Sequence, residues 1–327
     1  MIMKLFRYLG ILFVGLISGC VEPKAAARPD EQRLGPGEHV LTLTSGGLER
    51  LYIVYVPPGY DESKPVPMVI LFHGGGGRAS GIRSISKMDR VADTHGFVVV
   101  YPQGLNRVWN DGGSDLGQRP PRDDIVFVRD LVKDVSRKVS VNSRQVFACG
   151  FSNGGALTAR LTLEAPDLIG AGAMVGSGLY VKQMQDHPNP KPMPVLFIEG
   201  TDDPCHPHKG GEAIGPRMAG LFKGEHHGVV LSTDDVVSFW RKTNGCEGKP
   251  EVIELPHKTR DNTSTTYKQW TGASGNDVAE YIVQGGGHCW PGGLQYFPVN
   301  VIGKTSYDFD ASEAIWRFFE RHQRNKQ

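Results

Sequence analysis

The sequence predicts a doubly wound α/β fold, with one mostly parallel sheet covered by helices on both faces. Three observations carry that prediction. Short runs such as Val66 to Phe72 and Phe97 to Tyr101 are continuously apolar, as strands buried on both faces require. Segments of helical period alternate with these runs, the pattern of strand–helix–strand crossovers. The run Val146 to Cys149 then breaks at Gly150, and a helix-like segment, Ala156 to Glu164, follows almost at once.

The turn between those two is Gly150-Phe151-Ser152-Asn153-Gly154, a G-x-S-x-G nucleophile elbow. A sharp strand-to-helix turn forces the serine into strained backbone angles. The flanking positions must be free of side chains for the two elements to close up. The serine oxygen then stands at the sheet's C-terminal edge, near the positive end of the helix.

The remaining elements follow in chain order. Val40 to Leu43 and Leu51 to Val56 read as two strands joined at Gly46-Gly47, an antiparallel hairpin that ends at Pro57-Pro58-Gly59. Val66 to Phe72 runs into His73-Gly74-Gly75-Gly76-Gly77, and Ile85 to Thr94 is helix-like before the next buried strand. Gly104 to Arg122 is a polar loop holding Trp109 and Asn110. Apolar residues at 125, 128, 131, 132, 135 and 139 keep a 3.6-residue period, with Asp123-Asp124 suited to the helix N-terminus. After the elbow come Gly170 to Val175 and Pro194 to Glu199 as strands. A helix capped by Ser232 or Thr233 runs through Trp240, followed by a late strand, Val278 to Val283, and a closing amphipathic helix, Ala311 to His322. No repeat, no second-domain boundary and no insertion long enough for a separate lid domain is visible.

Lys+Arg 36 against Asp+Glu 35 provides no basic field of the kind that nucleic acid binding needs. The N-terminus says more. Lys4 and Arg7 precede an apolar run, Leu9 to Ile17, too short to span a bilayer comfortably, and the run ends in Ser18-Gly19-Cys20. Residues 1–19 are expected to be a signal peptide. Ile17-Ser18-Gly19-Cys20 resembles the lipobox of bacterial lipoproteins, which implies lipidation of Cys20 and a membrane anchor of two or more chains. Residues 20–38 then form a tether and 39–327 the folded domain. The expected location is exported and lipid-anchored, facing the periplasm or at the cell surface. A plain cleaved signal would make the chain a secreted protein.

A serine hydroxyl is a weak nucleophile and needs a base, usually histidine, oriented by a carboxylate. On an elbow fold the chain order is Ser, acid, His, each after a strand. Gly200-Thr201-Asp202-Asp203-Pro204 follows one strand, and Gly285-Gly286-Gly287-His288 follows another. His288 is the candidate base; His206, His208, His226, His227 and His257 follow no buried strand with glycine punctuation. Asp203 is the candidate acid and Asp202 its rival. The oxyanion would be held by the amide of Asn153 and by Gly75, with Gly74 as the alternative, because the His73 run is an HGGG-type loop. That loop lacks the Lys-Ser/Thr of a phosphate cradle.

With these motifs in place, the chain resembles the polyhydroxybutyrate depolymerase/feruloyl esterase group of α/β-hydrolases, lipoprotein members included. The matching stretches include Leu71-Phe72-His73-Gly74, Tyr101-Pro102-Gln103-Gly104, Asp123-Asp124-Ile125-Val126-Phe127, Asn244-Gly245-Cys246 and Gly287-His288-Cys289-Trp290-Pro291-Gly292-Gly293, over essentially residues 40–322. The resemblance implies the α/β-hydrolase fold and ester hydrolysis through an acyl-enzyme, without metal or cofactor. It selects Asp203 over Asp202 through the family's G-T-x-D pattern, and places Trp109 and Trp290 beside the substrate. It also exposes a departure. The cysteine that usually pairs with the Asn-Gly-Cys motif is replaced near Trp270, so Cys246 lacks that partner. Cys205 and Cys289, adjacent to the acid and the base, would then be joined in a disulfide if Asp203 and His288 touch.

Cys205-His206-Pro207-His208 with His226-His227 reads as a polar rim loop in preference to a metal site, and Pro204 to Val230 as the region of substrate recognition. The rival functions are a non-catalytic carbohydrate-binding lipoprotein on the same fold and a serine peptidase. The substrate remains open among feruloyl, acetyl and hydroxyalkanoate esters. The chain's end at Gln327, with no further domain, favours soluble or oligomeric esters.

Overall fold

A computed structural model describes residues 33–115, 122–213 and 228–323. The expected signal peptide, Cys20 and most of the expected tether lie outside the described residues, as do His226 and His227. The domain begins earlier than expected. Leu34 is already part of the core, and its N–H donates to Lys138 O at 2.9 Å.

Ten strands form one sheet in the order β1-β2-β4-β3-β5-β6-β7-β12-β11-β10. Their ranges are β1 Gly37–Ser45, β2 Leu48–Val56, β3 Val66–Phe72, β4 Val98–Pro102, β5 Val141–Phe151, β6 Gly172–Val175, β7 Val195–Gly200, β10 Glu251–Glu254, β11 Ser264–Trp270 and β12 Val278–Gln284. The short pair β8 (Gly211–Glu212) and β9 (Val229–Val230) stands apart. The middle of the sheet, from β4 through β12, is parallel. Antiparallel pairs close both edges, β1–β2–β4 on one side and β12–β11–β10 on the other.

The continuous apolar strands divide their side chains between two cores, as a two-residue period demands. Met68, Ile70 and Phe72 of β3 enter one, and Val69 and Leu71 the other. The first core is covered by α3 (Asp124–Lys138) and α4 (Asn153–Glu164), together with the helix Thr233–Asn244. The second is covered by α1 (Ala79–Ser86), α2 (Met88–His95) and the final helix Ala311–Arg321. Each fully buried Phe, Leu or Ile there contributes about 1.5–3 kcal/mol. The single helix expected over 85–94 is two, broken at Lys87, whose φ is 53°. Among the described residues no helix is long and apolar enough to cross a membrane.

Of the expected acidic helix start, Asp123 is the N-cap, accepting from the N–H groups of Ile125 and Val126. Asp124 does something else. It is wholly buried, ion-paired to Arg50 at 2.7 Å and to Arg122 Nε at 3.2 Å, and it accepts from Asn110 N–H at 2.7 Å. Arg50 in turn lies 3.6 Å from the centre of the Phe127 ring. The arrangement ties β2, α3 and the loop before α3 together. Asp124→Ala would strand two buried guanidinium groups, so a loss of about 3–5 kcal/mol in unfolding free energy is expected in urea titrations.

Candidate active site

The site is built where β5 ends. Ser152 stands between β5 and α4 with φ 55° and ψ −125°, a region that side-chain-bearing residues avoid, at a strain of about 1–3 kcal/mol. The turn is fixed from both sides. Ser152 N–H donates to Val175 O of β6 at 2.9 Å, and Ser152 O accepts from Ala156 N–H at 2.9 Å. The glycines are needed for closure. A Cβ at Gly150 would lie 2.2 Å from Gly154 O, and one at Gly154 would lie 2.5 Å from His73 O.

Ser152 and His288 line one cavity of about 570 Å³ together with Gly74, Gly75 and Asn153. His288 is buried beyond the end of β12, with its ring 4.8 Å from that of Phe151. Its Nδ1 is 2.7 Å from Asp203 Oδ2. Asp203, beyond β7, is buried as well, and its other oxygen accepts from the N–H groups of Cys205 and His206 at 2.7 and 2.8 Å. With Nδ1 committed to the carboxylate, Nε2 is the ring nitrogen free to exchange a proton. Asp202 is exposed, and its carboxylate accepts only from Thr201 Oγ at 3.3 Å among the described residues. Of the other histidines, His208 meets Thr233 Oγ and His257 meets Asp308.

The glycine loop after β3 lies directly over the elbow. A Cβ at Gly74 would come 3.2 Å from Ser152 Cβ, and one at Gly75 would come 3.7 Å from Asn153 Cβ. The next two amides are already used. Gly76 N–H donates to Arg107 O and Gly77 N–H to Gly74 O. Gly74, Gly75 and Asn153 are therefore the candidates for binding an oxyanion.

Residues that sequence reasoning assigned no role hold this loop. His73 is buried; its Nδ1–H donates to Gly74 O at 2.7 Å, and its Nε2 accepts from Gly104 N–H at 3.0 Å. That pairing needs a neutral ring. Burial, opposed by the bond to Gly74 O and aided by the Arg107 charge, pushes its pKa down from 6.5 to about 4. A folded-state pKa below the unfolded one means that the unfolded chain binds the extra proton first. This contribution is therefore intact above pH 6.5 and is lost as pH falls toward 4. Urea titrations should show wild type losing about 3 kcal/mol more than His73→Gln between pH 7 and pH 4.

Asn153 is clamped by the loop before α3. Its Oδ1 accepts from Trp109 N–H at 2.7 Å, and its Nδ2 donates to Trp109 O at 3.1 Å and to Asp111 Oδ2 at 2.7 Å. Asp111 is fully buried. Burial pushes its pKa up, while bonds from Ser114, Gly113 and Asn153 hold it down. Trp109 Nε1–H reaches across to His73 O at 2.8 Å, so one indole joins the glycine loop to the elbow.

Two expectations are corrected. Neither Trp109 nor Trp290 is placed to flank a substrate in the cavity, since both are wholly buried and neither lines it. Trp290 Nε1–H donates to Ser312 Oγ at 3.1 Å, beneath the site. Their indole N–H groups have partners inside the protein, which lets rings of that size be buried outright. The Cys205–Cys289 disulfide is not present either. Both are free thiols, buried in one small apolar cluster with Ile302, and Cys289 Sγ faces Gly303 O at 3.7 Å. Burial pushes the Cys289 pKa up to about 11 and raises that of Cys205 as well, so both stay protonated and unreactive. Cys149 and Cys246 are free too.

Ligand atoms of Asp203, Cys205 and His288 lie within 4.8 Å of one another. Two of the three are already bonded to each other and the third is a neutral thiol, an arrangement suited to proton transfer. His206 and His208 join no such group among the described residues.

Comparison with known proteins places this geometry. The profile of the esterase PHB depolymerase family matches residues 50–205. The feruloyl esterase B of Thermothelomyces thermophilus is 31% identical over 248 residues, 72% of this chain and 82% of that protein. The candidate esterase NocK of Nocardia uniformis subsp. tsuyamanensis is 29% identical over 277 residues, 83% of this chain and 79% of that one. Among solved structures, the acetyl xylan esterase of Aspergillus awamori superposes with a TM-score of 0.54 at 13% identity, covering 77% of this chain and 94% of that one. That likeness is one of fold.

Proposed function

The chain belongs to the esterase PHB depolymerase family of α/β-hydrolases and is a carboxylic ester hydrolase; from that premise we propose that it is an exported, lipid-anchored serine esterase acting through Ser152, His288 and Asp203. The observation that carries the mechanism is the strained Ser152 in one cavity with a His288 whose Nδ1 is bound 2.7 Å from Asp203.

Ser152 Oγ attacks the ester carbonyl while His288 Nε2 takes its proton. Asp203 holds the tautomer and stabilises the imidazolium that forms. The carbonyl oxygen, now negative, is bound by the N–H groups of Asn153 and Gly75, with Gly74 as the alternative donor. Collapse breaks the ester C–O bond, and His288 gives its proton to the departing alcohol. Water then attacks the acyl-serine, again losing its proton to His288, and the acid leaves.

Feruloyl, acetyl or hydroxyalkanoate-type esters are the proposed substrates, in keeping with the relatives' names. The membrane anchor rests on Cys20 and the apolar run before it, and metabolic labelling with a fatty acid tests it. A panel of methyl ferulate, p-nitrophenyl acetate and a hydroxybutyrate oligomer tests the substrate class. Labelling by a fluorophosphonate probe, abolished in Ser152→Ala, is expected. A chain that neither labels nor hydrolyses any member would instead be a binding protein on a hydrolase fold.

A further inference from the structure

The cavity that holds Ser152 carries positive charge that no carboxylate among the described residues lining it balances. Arg78 and Arg107 both line it, and no Asp or Glu does among the described residues. Both are exposed, and neither enters an ion pair among the described residues.

Arg107 is held in place at some cost. Arg107 adopts a φ of 65°, in the left-handed region that residues with a Cβ avoid, and Asn106 beside it has a φ of 53°. The pair is pinned by Gly76 N–H on Arg107 O at 2.8 Å, and Arg107 Nε–H donates to Gly77 O at 3.3 Å. The guanidinium thus lies against the glycine loop, and Arg78 follows that loop in sequence. Both cations thus line the cavity into which Ser152 and the oxyanion-binding candidates Gly74 and Gly75 also face. Ile85, Phe297 and Ile302 line the same cavity with apolar surface.

Guanidinium forks match a carboxylate with paired hydrogen bonds, and a cleft of one sign concentrates ligands of the other. We propose that Arg78 and Arg107 select esters whose acid or alcohol part carries a carboxylate beside an apolar portion. The inference rests on the esterase reading above and narrows its substrate class.

The test compares matched esters. One pair puts the carboxylate on the acid side, monomethyl glutarate against methyl pentanoate. The other puts it on the alcohol side, acetoxyacetate against ethyl acetate. The measured quantity is the ratio of kcat/KM, anionic over neutral, in wild type and in Arg78→Gln/Arg107→Gln. A charge-assisted bond of this kind supports a fall of about tenfold or more in one of the two ratios. Partial recovery in Arg78→Lys/Arg107→Lys is expected, as is a wild-type ratio that shrinks with added salt. Ratios unchanged by the Gln substitutions in both pairs overturn the proposal, even if every ester is cleaved. Calorimetric titration with glutarate needs no turnover and keeps this question apart from the esterase reading. Binding that the double Gln variant loses supports the proposal, and no binding to wild type overturns it.

Discussion

Ser152→Ala and His288→Ala are each expected to lower kcat on p-nitrophenyl acetate by about 10⁶, close to the loss for removing both together. The effects do not add because the two side chains act on one proton. Without the hydroxyl there is no nucleophile for His288 to activate; without the ring, the hydroxyl keeps its proton at neutral pH. What remains is binding and oxyanion stabilisation by the Asn153 and Gly75 amides, which lie on the backbone and survive either substitution. A fold effect can be told apart from a chemical one at this position. Ser152 sits at φ 55° and ψ −125°, so alanine inherits the strain, whereas Ser152→Gly releases it. Ser152→Gly should unfold at higher urea concentration than wild type while being equally inactive. Undiminished ester turnover in purified Ser152→Ala would refute the assignment of the nucleophile.

The parts of the fold that could be read from the sequence are those whose signal is local. β3, β4 and β5 are apolar runs that only a sheet covered on both faces accommodates, and the elbow announces itself by its glycines. β10 carries no such signal because its residues are polar or exposed, with Val252 and Ile253 of this edge strand half in solvent, whereas β11 interleaves its buried Thr265, Tyr267 and Trp270 with polar residues that blur the run. The break between α1 and α2 is a left-handed lysine, and lysine has no preference for that conformation that a sequence reader could use. At the site, residues placed by strand ends could be found, whereas those placed by tertiary contact could not. The family resemblance put Trp109 beside the substrate, and the sequence could not correct it because a tryptophan in a polar loop suits a rim and a core equally well. Its burial depends on Phe72, Phe127 and His73, which lie far from it in sequence. Asp111 in the same loop gave no sign of its role, because its partner on Asn153 is brought to it only once the elbow is folded, and its bond with Ser114 is that of any local turn.

The acidic pair Asp202-Asp203 is where geometry says most beyond pattern, and the two carboxylates make opposite predictions. Asp203→Asn should lower kcat by about 10⁴ and leave KM nearly unchanged. The amide keeps the shape of the loop: its oxygen can still accept from the N–H groups of Cys205 and His206, which orients the NH₂ toward His288. An NH₂ facing Nδ1 requires that nitrogen to be the acceptor. The proton then moves to Nε2, the atom that must take one from Ser152, and the ring is left in the wrong tautomer with no charge beside the imidazolium. Asp202→Asn should change kcat less than about twofold, since its side chain is exposed and, among the described residues, accepts a hydrogen bond only from Thr201, and exposed substitutions away from such features are near neutral. Measuring kcat for the two variants on one ester decides between them. Equal losses would mean that the loop as a whole, and not the 2.7 Å contact to His288, sets the rate.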